Sequence, residues 1–106
     1  MINIQLFRND NCEITGFRVT GHADAAPRGQ DIVCAGVSAL TQSALLGLEQ
    51  CAKRQFQLVM KSGKLVMDLT GNPDNLTQAI LETMVLGLKE IACNYPQYVR
   101  IVENRR

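Results

Sequence analysis

Residues 55–69 read QFQLVMKSGKLVMDL, two alternating runs, 55–60 and 64–69, on either side of Ser62-Gly63. Alternation is the period of a half-buried strand, and a short break ending in glycine is a hairpin turn. A helical pattern flanks this hairpin on each side. Upstream, over residues 31 to about 54, Val33, Val37, Leu40, Ala44, Leu48 and Cys51 recur every three or four positions and form one apolar stripe. Gly36 and Gly47 interrupt it, each at about 1 kcal/mol against alanine in a helix interior. Gly36 leaves room for another backbone to approach. Downstream, Asn72-Pro73-Asp74 opens a second helix with proline in its first turn, and Leu76, Ile80, Met84, Leu88 and Ile91 form its apolar face. Tyr95-Pro96 ends it.

Two strands precede the first helix and one follows the second. Ile2, Ile4 and Leu6 alternate with Asn3 and Gln5, then residues 8–11 form a turn. Residues 12–20 make the second strand. Within it Phe17 and Val19 share a face but Ile14 does not, so a bulge is expected at Gly16. Residues 98–102 form the last strand. The element order is β-β-α-β-β-α-β. Without the first strand the remainder is βαββαβ, a split β-α-β arrangement with both helices on one sheet face. The expected fold class is α+β, in a single domain spanning residues 1–106.

The loop between the second strand and the first helix holds the chemistry. It starts at Gly21-His22, the only histidine of the chain, and runs through Pro27 and Gly29 to Asp31. Asp31 is a good helix N-cap, and Cys34 falls three residues later, in the first turn. A thiol there faces unpaired backbone N–H groups and the positive end of the helix dipole, surroundings in which cysteine acts as a nucleophile. An imidazole on the adjacent loop would be its general base. The first-turn N–H groups, that of Cys34 included, are a candidate oxyanion hole.

Each residue also has a plainer role. Cysteine is usually a small buried hydrophobe, and Cys51 and Cys93, late in amphipathic helices, are read that way. Cys12 is read as a strand residue. His22 could simply hydrogen-bond in a turn. Asp31 is read first as a cap, with orientation of the imidazole as its functional alternative, and Asp24 is a second candidate for that task. Ser38, one turn beyond Cys34, either donates a hydrogen bond within the site or satisfies itself on the helix backbone. Arg28 is read as solvated. Residues 23–30, with small side chains between Gly21 and Gly29, are expected to form a flap over the site.

Composition narrows the classes. The net charge is +1, with the two signs interspersed, which speaks against a partner bound by phosphate neutralisation. Arg105 and Arg106 are read as a solvated tail. No signal peptide and no apolar run of membrane-spanning length is evident, so a cytosolic protein with four free thiols is expected. One histidine and no C-x-x-C pair give a metal little to bind, and no cofactor is expected. Besides an enzyme, two classes fit these residues. One is a binding module without hydrolysis; the other is a redox sensor built on Cys34, disfavoured because no resolving cysteine lies close in sequence.

Gly21-His22-Ala23, Gly29, Asp31, Val33-Cys34-Ala35 and Val37-Ser38 closely resemble the signature of the ribosomal-processing cysteine proteases called Prp. The chain's length and element order resemble that family's throughout. The resemblance implies a bacterial cytosolic endopeptidase whose Cys/His dyad is matched by Cys34 and His22. It implies removal of a short N-terminal extension from a large-subunit ribosomal protein, the twenty-seventh, with aromatic residues before a small one at the cut. It further implies a homodimer, and a loop matching residues 21–30 that covers the site, and it makes the binding-module alternative a ribosome-associated one.

Overall fold

The alternation of Ile2, Ile4 and Leu6 becomes β1 (Ile2–Arg8), with all three side chains buried on one face. The computed structural model describes residues 1–23 and 31–106. β2 (Ile14–Thr20) runs back antiparallel to β1, and its register slips between Phe7 and Arg8. Phe7 faces Gly16 while Arg8 faces Ile14, so Thr15 is the extra residue of a bulge beside Gly16. The bulge turns both Ile14 and Phe17 into the core despite their odd spacing. Gly16 admits no side chain: a Cβ would lie 2.6 Å from the Met67 carbonyl oxygen and 2.8 Å from the Asp68 carboxylate.

The second strand starts at Ile14, not at residue 12. Asn9 Oδ1 accepts the backbone N–H groups of Asn11 and Glu13, and this local turn takes Cys12 out of the sheet. Cys12 is exposed, at φ 63°.

The remaining elements are α1 (Ile32–Gln50), β3 (Phe56–Lys61), β4 (Lys64–Leu69), α2 (Asn75–Asn94) and β5 (Val99–Arg105). The order and the α+β class are those the sequence pattern predicts. In the sheet the strands lie β3-β4-β2-β1-β5. All neighbours are antiparallel except β1 and β5, which are parallel. β1 therefore sits between β2 and β5.

The expected stripe of α1 is right as far as Leu48. Beyond it the helix stops early: Cys51 is the C-cap, donating its N–H to the Gly47 carbonyl, and Lys53 at φ 56° turns the chain toward β3. Cys51 is thus exposed rather than part of the core, and Cys93 is exposed as well. Thr41 and Leu45 fill the core face instead. By length and composition α1 is apolar enough to cross a membrane, contrary to the expectation of no such run. Here it packs as a core helix, with Val33, Val37, Ala44 and Leu48 buried.

α2 begins after a capping box in which Asp74 accepts from the Thr77 N–H and Thr77 Oγ1 accepts from the Asp74 N–H. Pro73 thus precedes the cap rather than occupying the first turn. The box holds Thr77 inward, and the buried face becomes Thr77, Leu81, Met84, Val85 and Leu88. Leu76 is exposed, while Ile80 and Ile91 turn toward α1. There they meet Gly47 and Gly36, whose added Cβ atoms would lie 3.4 Å and 3.1 Å from them. What approaches Gly36 is therefore a side chain, not a backbone.

The C-terminal arginines do not form a loose tail. Arg105 belongs to β5, opposite Arg8, and the Arg106 guanidinium lies 4.2 Å from the centre of the Phe7 ring and pairs with Asp68.

Candidate active site

The end of β2 delivers His22. Gly21 takes φ 89°, a left-handed conformation that glycine adopts without strain, and donates its N–H to the Gly63 carbonyl at 2.9 Å. The Met1 nitrogen donates to the His22 carbonyl at 2.6 Å. Two partners thus fix the main chain of His22, an exposed residue.

Asp31 starts α1 as the sequence predicts. Its Oδ1 accepts the N–H groups of Val33 at 3.0 Å and Cys34 at 3.1 Å. This places Cys34 in the first turn, partly buried, the only one of the four free cysteines that is not exposed. Its sulfur accepts the Ala23 N–H at 3.3 Å, so the residue next to His22 is tied to the thiol. Among the described residues no hydrogen bond joins the imidazole itself to Cys34.

The first-turn N–H groups expected as an oxyanion hole already have acceptors. The N–H groups of Val33 and Cys34 are donated to Asp31, and that of Ala35 to the Asp31 carbonyl at 3.0 Å. The same cap that orders the helix start occupies the donors that an oxyanion would use.

His22 and Cys34 line one cleft of about 150 Å³. Gly21, Val37 and Ser38 line it too, so the structure gathers five of the residues singled out from sequence. Ser38 is exposed there, and its hydroxyl makes no hydrogen bond among the described residues. Val33 faces the core and does not line the cleft. Asp24, Arg28, Gly29 and most of the expected flap lie outside the described residues.

Sequence reasoning missed the opposite wall. Met60, Lys61, Gly63, Lys64 and Leu65, from the β3–β4 turn, close the cleft across from α1. The turn itself was legible, but the register that brings it beside His22 was not. The described residues contain no cluster of three or more His, Cys, Asp or Glu side chains suited to a metal. The cleft offers a thiol, an imidazole and apolar walls, the components of acyl transfer to sulfur.

Comparison with known proteins follows the same line. The family model of cysteine protease Prp matches residues 1–100. The ribosomal processing cysteine protease Prp of Staphylococcus aureus is 30% identical over 104 residues, covering 95% of this chain and 97% of that protein. Its Bacillus subtilis counterpart is 29% identical over 112 residues, covering 98% of each. The crystal structure of the S. aureus protease with a covalently linked product peptide superposes with a TM-score of 0.94, at 26% identity, over 98% of this chain and 100% of that one. With a substrate peptide the TM-score is 0.88, at 25% identity and the same coverage. The chain belongs to the Prp family of cysteine proteases.

Proposed function

We propose that the chain is an endopeptidase that removes the N-terminal extension of the twenty-seventh large-subunit ribosomal protein, with Cys34 as nucleophile and His22 as base. The observation that carries this reading is one cleft holding both side chains, with Ala23 donating to the Cys34 sulfur at 3.3 Å. The His22 imidazole takes the thiol proton as sulfur attacks the scissile carbonyl carbon, and returns it to the leaving amine. Water then hydrolyses the thioester. Asp31 gives up the Cys34 N–H to the developing oxyanion, an exchange of one anionic acceptor for another.

The walls suit the substrate. Val37, Met60 and Leu65 offer an apolar slot for an aromatic residue before the cut, while the α1 start holds the peptide carbonyl. The covalently linked product peptide of the S. aureus relative supports a cysteine nucleophile within this fold. The protein works in the cytosol, in keeping with its four free thiols, and as a homodimer.

A pair of peptides tests the reading, one with two aromatic residues before a small one and one with both changed to alanine. A single cut in the first, little cleavage of the second and little degradation of casein are expected. Equal cleavage of both peptides, or rapid loss of casein, contradicts a dedicated processing enzyme.

A further inference from the structure

The β3–β4 turn reaches the His22 segment through one residue, in two ways. The Gly63 carbonyl accepts the Gly21 N–H at 2.9 Å, which anchors the backbone one residue before His22. The α-carbon of Gly63 faces the imidazole. A Cβ there would lie 3.0 Å from Nε2 and 3.6 Å from both Cδ2 and Cε1, so the ring points its Nε2 edge at the place a side chain would fill. Gly63 also takes φ 72°, which a hairpin turn demands of glycine wherever it occurs.

Backbone conformation alone would make Gly63 an ordinary turn residue. Gly71 shows what that looks like. It has φ 82°, yet a Cβ there would meet only the Arg54 side chain, at 3.5 Å. The two glycines share a conformational demand and differ in what stands beside them.

We propose that Gly63 is a positioning residue for His22: its carbonyl holds the strand end that carries the imidazole, and its missing side chain leaves room for the Nε2 edge of the ring to rest against the turn. The proposal rests on the reading of His22 as the base. A side chain at position 63 moves the ring away from the turn, and proton transfer from Cys34 loses its geometry. Small displacements of this kind lower turnover more than peptide affinity, because Val37, Met60 and Leu65, which form the apolar slot, are themselves unaltered.

The chain's single histidine makes the test direct, since its ring signals in an NMR spectrum have one origin. In the unaltered protein the His22 ring protons should show NOEs to the Gly63 α-protons; their absence in the folded protein overturns the proposal before any substitution is made. Gly63→Ala, Gly63→Asn and Gly71→Ala are then compared with the wild type. Asparagine tolerates the left-handed conformation, so Gly63→Asn keeps the test open where alanine impairs folding. The expected result is displaced His22 signals in both Gly63 variants, with kcat on the aromatic-bearing peptide lowered by about tenfold or more and KM little changed. Gly71→Ala should lose stability while keeping the His22 signals and kcat. His22 signals in the Gly63 variants that match those of Gly71→Ala overturn the proposal. Displaced signals with unchanged kcat leave Gly63 as the residue that seats the ring and instead overturn His22 as the base.

Discussion

At the scale of single residues, surroundings set one thiol apart from the other three. Cys34 is half-buried at a helix start and accepts an N–H from Ala23, whereas Cys12, Cys51 and Cys93 stand exposed at a turn and at helix ends. Cys34→Ala should abolish peptide cleavage with the fold intact, as circular dichroism would verify. Cys34→Ser should be nearly as inactive, because a hydroxyl is a far weaker nucleophile than a thiol at neutral pH. His22→Ala should lower kcat by roughly 10²–10⁴-fold, the range of a lost general base. A Cys34→Ala protein that still cut the peptide would move the nucleophile elsewhere. Gly16 makes a stability prediction of the same kind. Its Cβ would press on the Met67 carbonyl and the Asp68 carboxylate, so Gly16→Ala should destabilise by about 1–3 kcal/mol in urea titration. An unchanged midpoint would mean that β2 and β4 yield easily.

At the scale of elements, α1 is ordered by the cap that also shapes the site. Asp31→Ala should lower stability by about 1 kcal/mol, and Asp31→Asn by much less, since asparagine caps nearly as well. If Asp31 must release the Cys34 N–H during turnover, the two variants should also differ in kcat by more than stability explains. Steady-state kinetics beside thermal unfolding measures both, and equal kcat values would remove the exchange from the mechanism. What could be read from sequence was local. The Asp31 cap, the Ser62-Gly63 turn and the bulge near Gly16 follow from neighbouring residues, and so does the placing of Cys34. What could not be read depends on packing between distant segments. Cys51 and Cys93 look like core residues by period, but α1 ends before the first and the second lies on an outward face of α2. The rotation of α2 toward Thr77 and Leu81 follows from its capping box and from Ile80 and Ile91 seating against the glycines of α1. Gly63 looked like a turn residue and nothing more, because only the β2–β4 register brings it to His22.

At the scale of the molecule, an ion network ties the two ends of the chain to α2. Arg8 donates to both Glu82 oxygens, at 2.8 and 3.1 Å, and to Glu103 at 2.9 Å. The hydrogen bonds it donates to Glu82, and then the one to Glu103, hold the guanidinium above its ordinary range. The hydrogen bond from Arg8 in turn holds the Glu103 carboxyl below its ordinary value of 4.5. A carboxyl depressed in the folded state stabilises the fold above its unfolded value, and that contribution fades as pH falls through the folded one. Glu103→Gln should therefore cost about 1 kcal/mol or less at neutral pH, given the partial exposure of the pair. The gap to wild type should close below the ordinary glutamate range, as chemical denaturation at several pH values would measure. A gap that widened in acid would reverse the sign. The proposed homodimer belongs to this scale as well: sedimentation at micromolar concentration should return twice the mass of one chain, and a clean monomer would exclude it. Stepwise alkylation decides whether the Cys34 thiol beside His22 performs the cut. Iodoacetamide is added in steps, with residual peptide cleavage and the site of alkylation followed by mass spectrometry in the same samples. Cys34 should be modified before the other three cysteines, and activity should fall in proportion to its modification. Full cleavage by protein fully alkylated at Cys34 would contradict it.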